Sequence, residues 1–191
     1  MNQKQSTREK ILDAVFSLVY INGYNGTSMS MILKECAIPK GSLYHHFKSK
    51  KEMVLAVIKE RLAPRMDEFY ALQKTDGKHE INTLINTVKQ ITQRENTIIY
   101  GCPLNRLNQE MSLIDKDFEF EINLIYEKMK EKIKNLLQNS DLKDGVNRDS
   151  LAEFVIASMW GSLSLSPSQS STERYLESIK HLSSYLESLK K

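Results

Sequence analysis

Residues 27–50 read TSMSMILKECAIPKGSLYHHFKSK. Two short helical patterns flank a tight turn, and the second carries Lys40, Ser42, Tyr44, His45 and His46 within seven positions. A helix so rich in hydrogen-bonding groups is a poor core helix and a good occupant of a DNA groove. Leu43 and Phe47 lie four apart and predict a buried face. The opposite face then presents Lys40, Ser42, Tyr44 and His45, with Gly41 allowing close backbone approach. Lysine can donate to guanine O6 and N7 or to phosphate. Serine can bond either a base or a phosphate, and tyrosine can touch a thymine methyl or donate to phosphate.

Outward from this stretch the pattern stays helical. Ser6 and Glu9 have capping-box spacing ahead of an apolar face at Ile11, Leu12, Val15, Leu18 and Val19, and Gly23 marks the end of that first helix. Thr27 is placed to cap the second helix, and the backbone amides that follow it offer an anion site. Pro39 opens the third helix. Ser49 and Glu52 form a second capping box and open the fourth, in which Lys50 supplies a charge for a neighbouring phosphate. Pro64 is expected to kink or end that fourth helix. Further on, 82–94 is amphipathic, Gly101-Cys102-Pro103 breaks the pattern, and a long helix is expected over 115–139. A polar loop over 141–147 precedes the last two helices, 149–165 and 172–190, which are separated by a Ser-rich loop at 166–171. In the last helix Tyr175, Ile179, Leu182, Leu186 and Leu189 make a 4-3-4-3 seam, for use within or between subunits.

The totals agree with this reading. The chain has 191 residues, 40% hydrophobic and 27% charged, with seven Gly and four Pro, which disfavours extensive loops and all-β architectures. The net charge of +3 is unevenly placed. Residues 1–55 hold eight basic side chains against four acidic, and the remainder 19 against 20. A positive surplus confined to the first quarter fits a phosphate-binding module. No apolar run is long enough to span a membrane, the N-terminal MNQKQSTREK lacks a signal-peptide core, and a cytoplasmic location is expected.

The pattern T-S-M-x-x-I…P-K-G-S-L-Y-H-H-F-x-S-K resembles the DNA-binding domain of TetR/AcrR-family bacterial transcription regulators over roughly residues 8–57. The resemblance implies an all-α protein: an N-terminal three-helix helix-turn-helix domain, 1–57, and a C-terminal helical ligand-binding and dimerisation domain, 58–191. It places Lys40, Gly41, Ser42, Tyr44 and His45 in a recognition helix. Thr27, Tyr44, His46 and Lys50 fall at phosphate-contacting positions, with Ser28 beside them. Pro39 departs from the family's Ser or Thr cap. The segment Gly101 to Leu107 with Glu110 is similar to one branch of the family, and Trp160-Gly161-Ser162 resembles its small-residue helix crossing. The implied partners are a double-stranded DNA operator, a second copy joined through the last two helices, and a small-molecule effector. Residue type nominates Tyr100, Cys102, Met111, Phe118, Ile122, Tyr126, Met159 and Trp160 as pocket candidates, with core packing as the competing role for each.

Other chemistries find little support. His45 and His46 are adjacent rather than at i, i+4, so no metal site is expected. His79 and His181 are isolated. Asp115/Asp117 and Glu119/Glu121 read as solvated helix faces. No phosphate loop, GxSxG or HExxH occurs, and neither a cofactor nor an enzyme activity is expected. Cys36 and Cys102 read as reduced thiols; a redox regulator using Cys102 and a dimeric helical interaction protein stand as alternatives.

Overall fold

A computed structural model describes residues 6–69, 80–165 and 171–191. Among them the regular structure is helical, apart from one isolated bridge pairing Leu142 with Lys190. The chain packs as two units, Met1–Arg65 with Pro103–Asn123, and Met66–Cys102 with Leu124–Lys191. It therefore crosses from one unit to the other more than once, and the packing does not divide the chain at 57/58.

In the first unit, α1 (Thr7–Asn22) starts where the Ser6 hydroxyl accepts from the Glu9 amide at 3.2 Å. It buries Ile11, Leu12, Val15 and Val19 and packs on α2 (Met29–Cys36) and α4 (Lys50–Val57). Ser28, not Thr27, caps α2, accepting from the Met31 amide at 3.2 Å. The Thr27 side chain is fully buried and donates to the Gly23 carbonyl at 2.7 Å. Ala37 turns the chain in the left-handed region, φ 50°, before α3 (Lys40–His46). Pro39 precedes α3 without a side-chain cap, as proline's fixed φ permits. The Ser49 hydroxyl accepts from the Glu52 amide at 3.1 Å to begin α4. Pro64 does not end the helix that follows. A π-helical turn (Ile58–Leu62) intervenes, in which the Ala63 amide bonds the Ile58 carbonyl, and α5 (Ala63–Phe69) continues. The wider turn leaves room upstream for the proline ring, which would clash in a regular α-helical ladder.

The rest of this unit is α8 (Pro103–Met111) and the start of α9 (Lys116–Gln138). Arg106 donates to the Tyr20 and Ile21 carbonyls at 3.2 and 2.8 Å, capping the negative end of α1. The Glu110 carboxylate accepts from the Asn25 amide at 2.9 Å. Lys51 reaches both Asp115 and Asp117 at 2.7 Å, and Lys59 reaches Glu121 at 2.9 Å. The Tyr24 and Phe118 rings meet edge to face, 5.2 Å apart. At the other end of α1, Arg8 pairs with Glu60, and Arg61 pairs with both Asp13 and Glu9.

In the second unit, α6 (Glu80–Gln90) runs into one 3-10 turn (Ile91–Gln93) and α7 (Glu95–Tyr100). Then α10 (Arg148–Ser164) packs on α11 (Ser171–Ser188), which also packs on α6 and α7. The seam residues Tyr175, Ile179, Leu182 and Leu186 are buried within this unit. The Tyr175 hydroxyl donates to the Val88 carbonyl at 2.9 Å. Asn147 caps α10 by accepting from the Asp149 and Ser150 amides. His79 and residues 166–170 of the Ser-rich loop lie outside the described residues.

Gly23 has φ 75°, and a Cβ built there would sit 2.0 Å from a Glu110 carboxylate oxygen. Gly23→Ala is expected to lower stability by roughly 2 kcal/mol or more, from left-handed strain and loss of the α8 contact. At Gly41 a Cβ meets open space, so Gly41→Ala should stabilise by up to about 1 kcal/mol through helix propensity. Urea titration of both variants checks the contrast, and equal stabilities would contradict it.

Candidate functional site

Leu43 is fully buried and Phe47 is 3% exposed, and these two side chains hold α3 against the core. The Arg8 guanidinium lies over the Phe47 ring at 5.3 Å. Outward, Lys40, Gly41 and His45 are exposed, while Ser42, Tyr44 and His46 are half-buried. Lys40 Nζ lies 5.8 Å over the Tyr44 ring one helical turn away, so cation and phenol share one edge of the helix. His45 and His46 meet edge to face at 5.4 Å. Among the described residues no cluster of three or more His, Cys, Asp or Glu could hold a metal ion.

Two residues read from sequence as phosphate contacts sit otherwise. Thr27 points into the core, so its hydroxyl cannot reach DNA without unfolding the turn. Lys50 Nζ donates to the Tyr24 and Thr27 carbonyls, both at 2.9 Å, and lies 4.1 Å over the Tyr24 ring. Burial lowers its pKa, with the Glu110 charge opposing. Lys50 therefore braces the loop between α1 and α2. Ser28 is exposed and shares a 2.8 Å hydrogen bond with Ser30 while capping α2. Lys48 was not singled out by sequence. It is exposed just after α3, with Nζ 3.4 Å from the Tyr44 carbonyl. Its place immediately before a capping box was the available signal.

The pocket candidates separate. Cys102, Met159 and Trp160 line one cavity of about 40 Å³ in the second unit, together with Phe69, Arg94 and Met129 among others. Tyr126 packs edge to face on Trp160 at 5.6 Å and donates to Glu153. Met111, Phe118 and Ile122 are buried residues of the first unit, and Phe118 serves as packing for Tyr24. Tyr100 is half-buried on α7 and does not line the cavity. A wider groove of about 720 Å³ runs along α6 and α11, but charges of both signs line it, including Lys89, Glu177, Lys180 and Glu187. The smaller, mainly apolar space is the better small-molecule site. Sequence reasoning missed Arg94, because no motif marks an arginine that only tertiary packing brings to this cavity.

The family model for bacterial regulatory proteins of the tetR family matches residues 11–57. An uncharacterized HTH-type transcriptional regulator in the lacX 3′ region of Lactococcus lactis subsp. lactis is 33% identical over 175 residues, covering 84% of this chain and 83% of that protein. A TetR transcriptional regulator from Chloroflexus aurantiacus J-10-FL superposes with TM-score 0.83 at 25% identity, covering 96% and 95% of the two chains. The reduced form of Escherichia coli NemR shares the fold, with TM-score 0.79 at 21% identity over 97% and 98%.

Lys50→Met keeps the stem and removes the donor to two carbonyls. A stability loss on the order of 1–2 kcal/mol is expected in denaturant titration, with the salt dependence of DNA binding unchanged; a shallower salt slope at full stability would return Lys50 to the phosphate set. A second expectation concerns pH. Burial, and then the hydrogen bond to Glu153, push the Tyr126 pKa up to about 12. The neutral phenol is favoured in the fold, so this contribution to stability is present below the ordinary tyrosine range near 10 and is lost as pH rises towards about 12. Phenolate absorbance should show a late-titrating group that Tyr126→Phe removes and Glu153→Gln advances; an unchanged curve in both variants would refute the assignment.

Proposed function

The chain belongs to the TetR family and is a DNA-binding transcriptional regulator, and from that premise we propose a homodimeric, ligand-responsive repressor of a pseudo-palindromic operator. The exposed side of α3 carries this reading. Lys40, Ser42, Tyr44 and His45 stand on a helix whose other side is held by Leu43 and Phe47. Lys40 is assigned to guanine O6 and N7 or the adjacent phosphate, and Ser42 to a base edge. Gly41 lets the backbone come close. Tyr44, His46, Lys48, Ser28 and the first amides of α2 are assigned to the phosphates that fix the register. Thr27 and Lys50 act behind them, holding the loop that leads into α2.

Support for a second copy comes from the second unit. Phe154 on α10 and Tyr185 on α11 are about half exposed, and their rings meet at 5.5 Å. Seven and eleven residues beyond Phe154, a Cβ at Gly161 would meet open space and Leu165 is 78% exposed. An exposed aromatic pair with a glycine further along suits a two-fold contact between helix pairs. Two recognition helices would then enter successive major grooves. The effector is assigned to the cavity beside Trp160, and its binding changes the spacing of the two recognition helices. The lever is the helical run from α4 through the π-turn to α5, along which the chain passes between its units after Arg65.

The test is footprinting of the purified protein on its own upstream DNA, with affinity measured over a range of salt. A two-fold symmetric footprint is expected. With Lys40 and Lys48 from each of two subunits, the log–log slope should be on the order of −4, at about −0.9 for each phosphate neutralised. Lys48→Ala should weaken all sequences alike and flatten the slope by about 2 per dimer. Lys40→Ala or Ser42→Ala should change which sequence is preferred. A salt-independent interaction without a footprint would contradict the operator reading.

A further inference from the structure

We propose that the cavity beside Trp160 takes an amphiphilic monoanion, its carboxylate on Arg94 and its apolar, ring-bearing body among Met129, Met159 and Trp160. This rests on the effector reading above and gives it a chemical class.

Among the described residues lining the cavity, Arg94 is the arginine. Arg8 pairs with Glu60, Arg61 with Glu9 and Asp13, Arg106 donates to the α1 carbonyls, and Arg148 donates to the Leu137 carbonyl at 2.9 Å. Arg94 is exposed and lines the cavity. Its guanidinium carbon lies 4.6 Å over the Phe69 ring. Among the described residues no carboxylate lies within ion-pair distance of it. The N–H edge therefore remains for an incoming group. A planar fork of donors matches a carboxylate in bidentate fashion and is less strongly hydrated than an ammonium.

The remaining wall selects the body of the ligand. Met129 and Met159 are buried, and Met66 is half-buried. Thioethers pack well on aromatic rings, and unbranched methionine side chains move aside easily. Phe69 and Trp160 add flat aromatic surface. Arg94 is the lone Lys or Arg among the described residues lining this cavity, which favours one negative charge over the two of a phosphate monoester. The space of about 40 Å³ is well below the roughly 150 Å³ of a cavity that takes a benzene ring. Binding thus requires the methionines to change rotamer, and an apolar body supplies the driving force.

Trp160 is the chain's single tryptophan, so its emission reports on this cavity. The probes are 4-phenylbutyrate and its neutral counterpart 4-phenylbutanol, titrated into the full-length protein. Both should change Trp160 emission saturably, with the anion bound more tightly. Arg94→Gln should raise the Kd of the anion on the order of tenfold, as loss of a charge-assisted contact implies. The Kd of the alcohol should stay within about a factor of two. Arg94→Lys should recover part of the anion's affinity, and melting temperatures of the free variants verify folding. The proposal is overturned if Arg94→Gln leaves the anion's Kd unchanged, if it weakens both probes alike, or if neither probe binds saturably. A parallel operator titration separates the two readings. Arg94-dependent binding with no effect of any ligand on operator affinity would remove the effector role and leave the anion site standing.

Discussion

A seven-residue helix does not hold its shape alone in water, because nucleation fixes several residues for very few hydrogen bonds. The recognition helix α3 is that short, so its existence depends on burial of Leu43 and Phe47. Each buried side chain contributes roughly 1.5–3 kcal/mol, which exceeds anything capping supplies here, since Pro39 makes no side-chain cap. The same two contacts fix which residues face outward. Fold stability and DNA readout are thus set by one packing event. Elsewhere in the first unit, α1 packs on α2 and α4, and Arg8 of α1 covers the Phe47 ring.

The loop between α1 and α2 shows a second dependence. Its backbone reverses direction at Gly23 and leaves carbonyls and amides without helical partners. They are satisfied from distant sequence. Lys50 takes the Tyr24 and Thr27 carbonyls, Thr27 takes the Gly23 carbonyl, Arg106 takes those of Tyr20 and Ile21, and Glu110 takes the Asn25 amide. Side chains from two distant stretches, the start of α4 and α8, converge on one turn and join its own Thr27. Arg106 and Glu110, one helical turn apart on α8, make that helix part of the unit that carries α3. A change in α8 is therefore felt at the end of α1, next to the start of α2.

Local chemistry was legible in the sequence, and long-range placement was not. Ser6 with Glu9, Ser49 with Glu52, Gly23 and Pro103 each mark a boundary through groups within four residues. The structure keeps all four. Thr27 and Ser28 are adjacent residues with the same capping capacity, and only the core contact to Gly23 decides which turns inward. Lys50 has the sequence context of an exposed first-turn lysine, yet two carbonyls more than twenty residues away claim its ammonium. Phe118 and Ile122 lie on the same stripe of α9 as Tyr126 and Met129. Helical spacing could not show that this stripe passes from one unit into the other between residues 123 and 124. Pro64 marked a break in the regular helical pattern but not its form: the π-turn that precedes it has no distinct sequence signal.

On the effector reading proposed above, the small cavity would bear on regulation through linkage. A ligand can shift an equilibrium only by the difference in its affinity for the two states. An open, rigid pocket would bind equally well in both and would leave operator affinity unchanged. A cavity filled by methionine side chains binds only when they move, so ligand affinity is tied to a rearrangement of the helices that carry them. Met66 lies on α5, immediately beyond the point where the chain leaves the first unit, and Cys102 lies immediately before it re-enters at Pro103. Both residues line the cavity. On the effector reading, opening it would act where the chain passes from one unit to the other, without requiring any single long path of contacts. A coupling of 1–3 kcal/mol, the usual range between linked sites, corresponds to a change of about 5- to 150-fold in operator affinity. On that reading, ligand affinity would be reduced by the cost of opening the cavity.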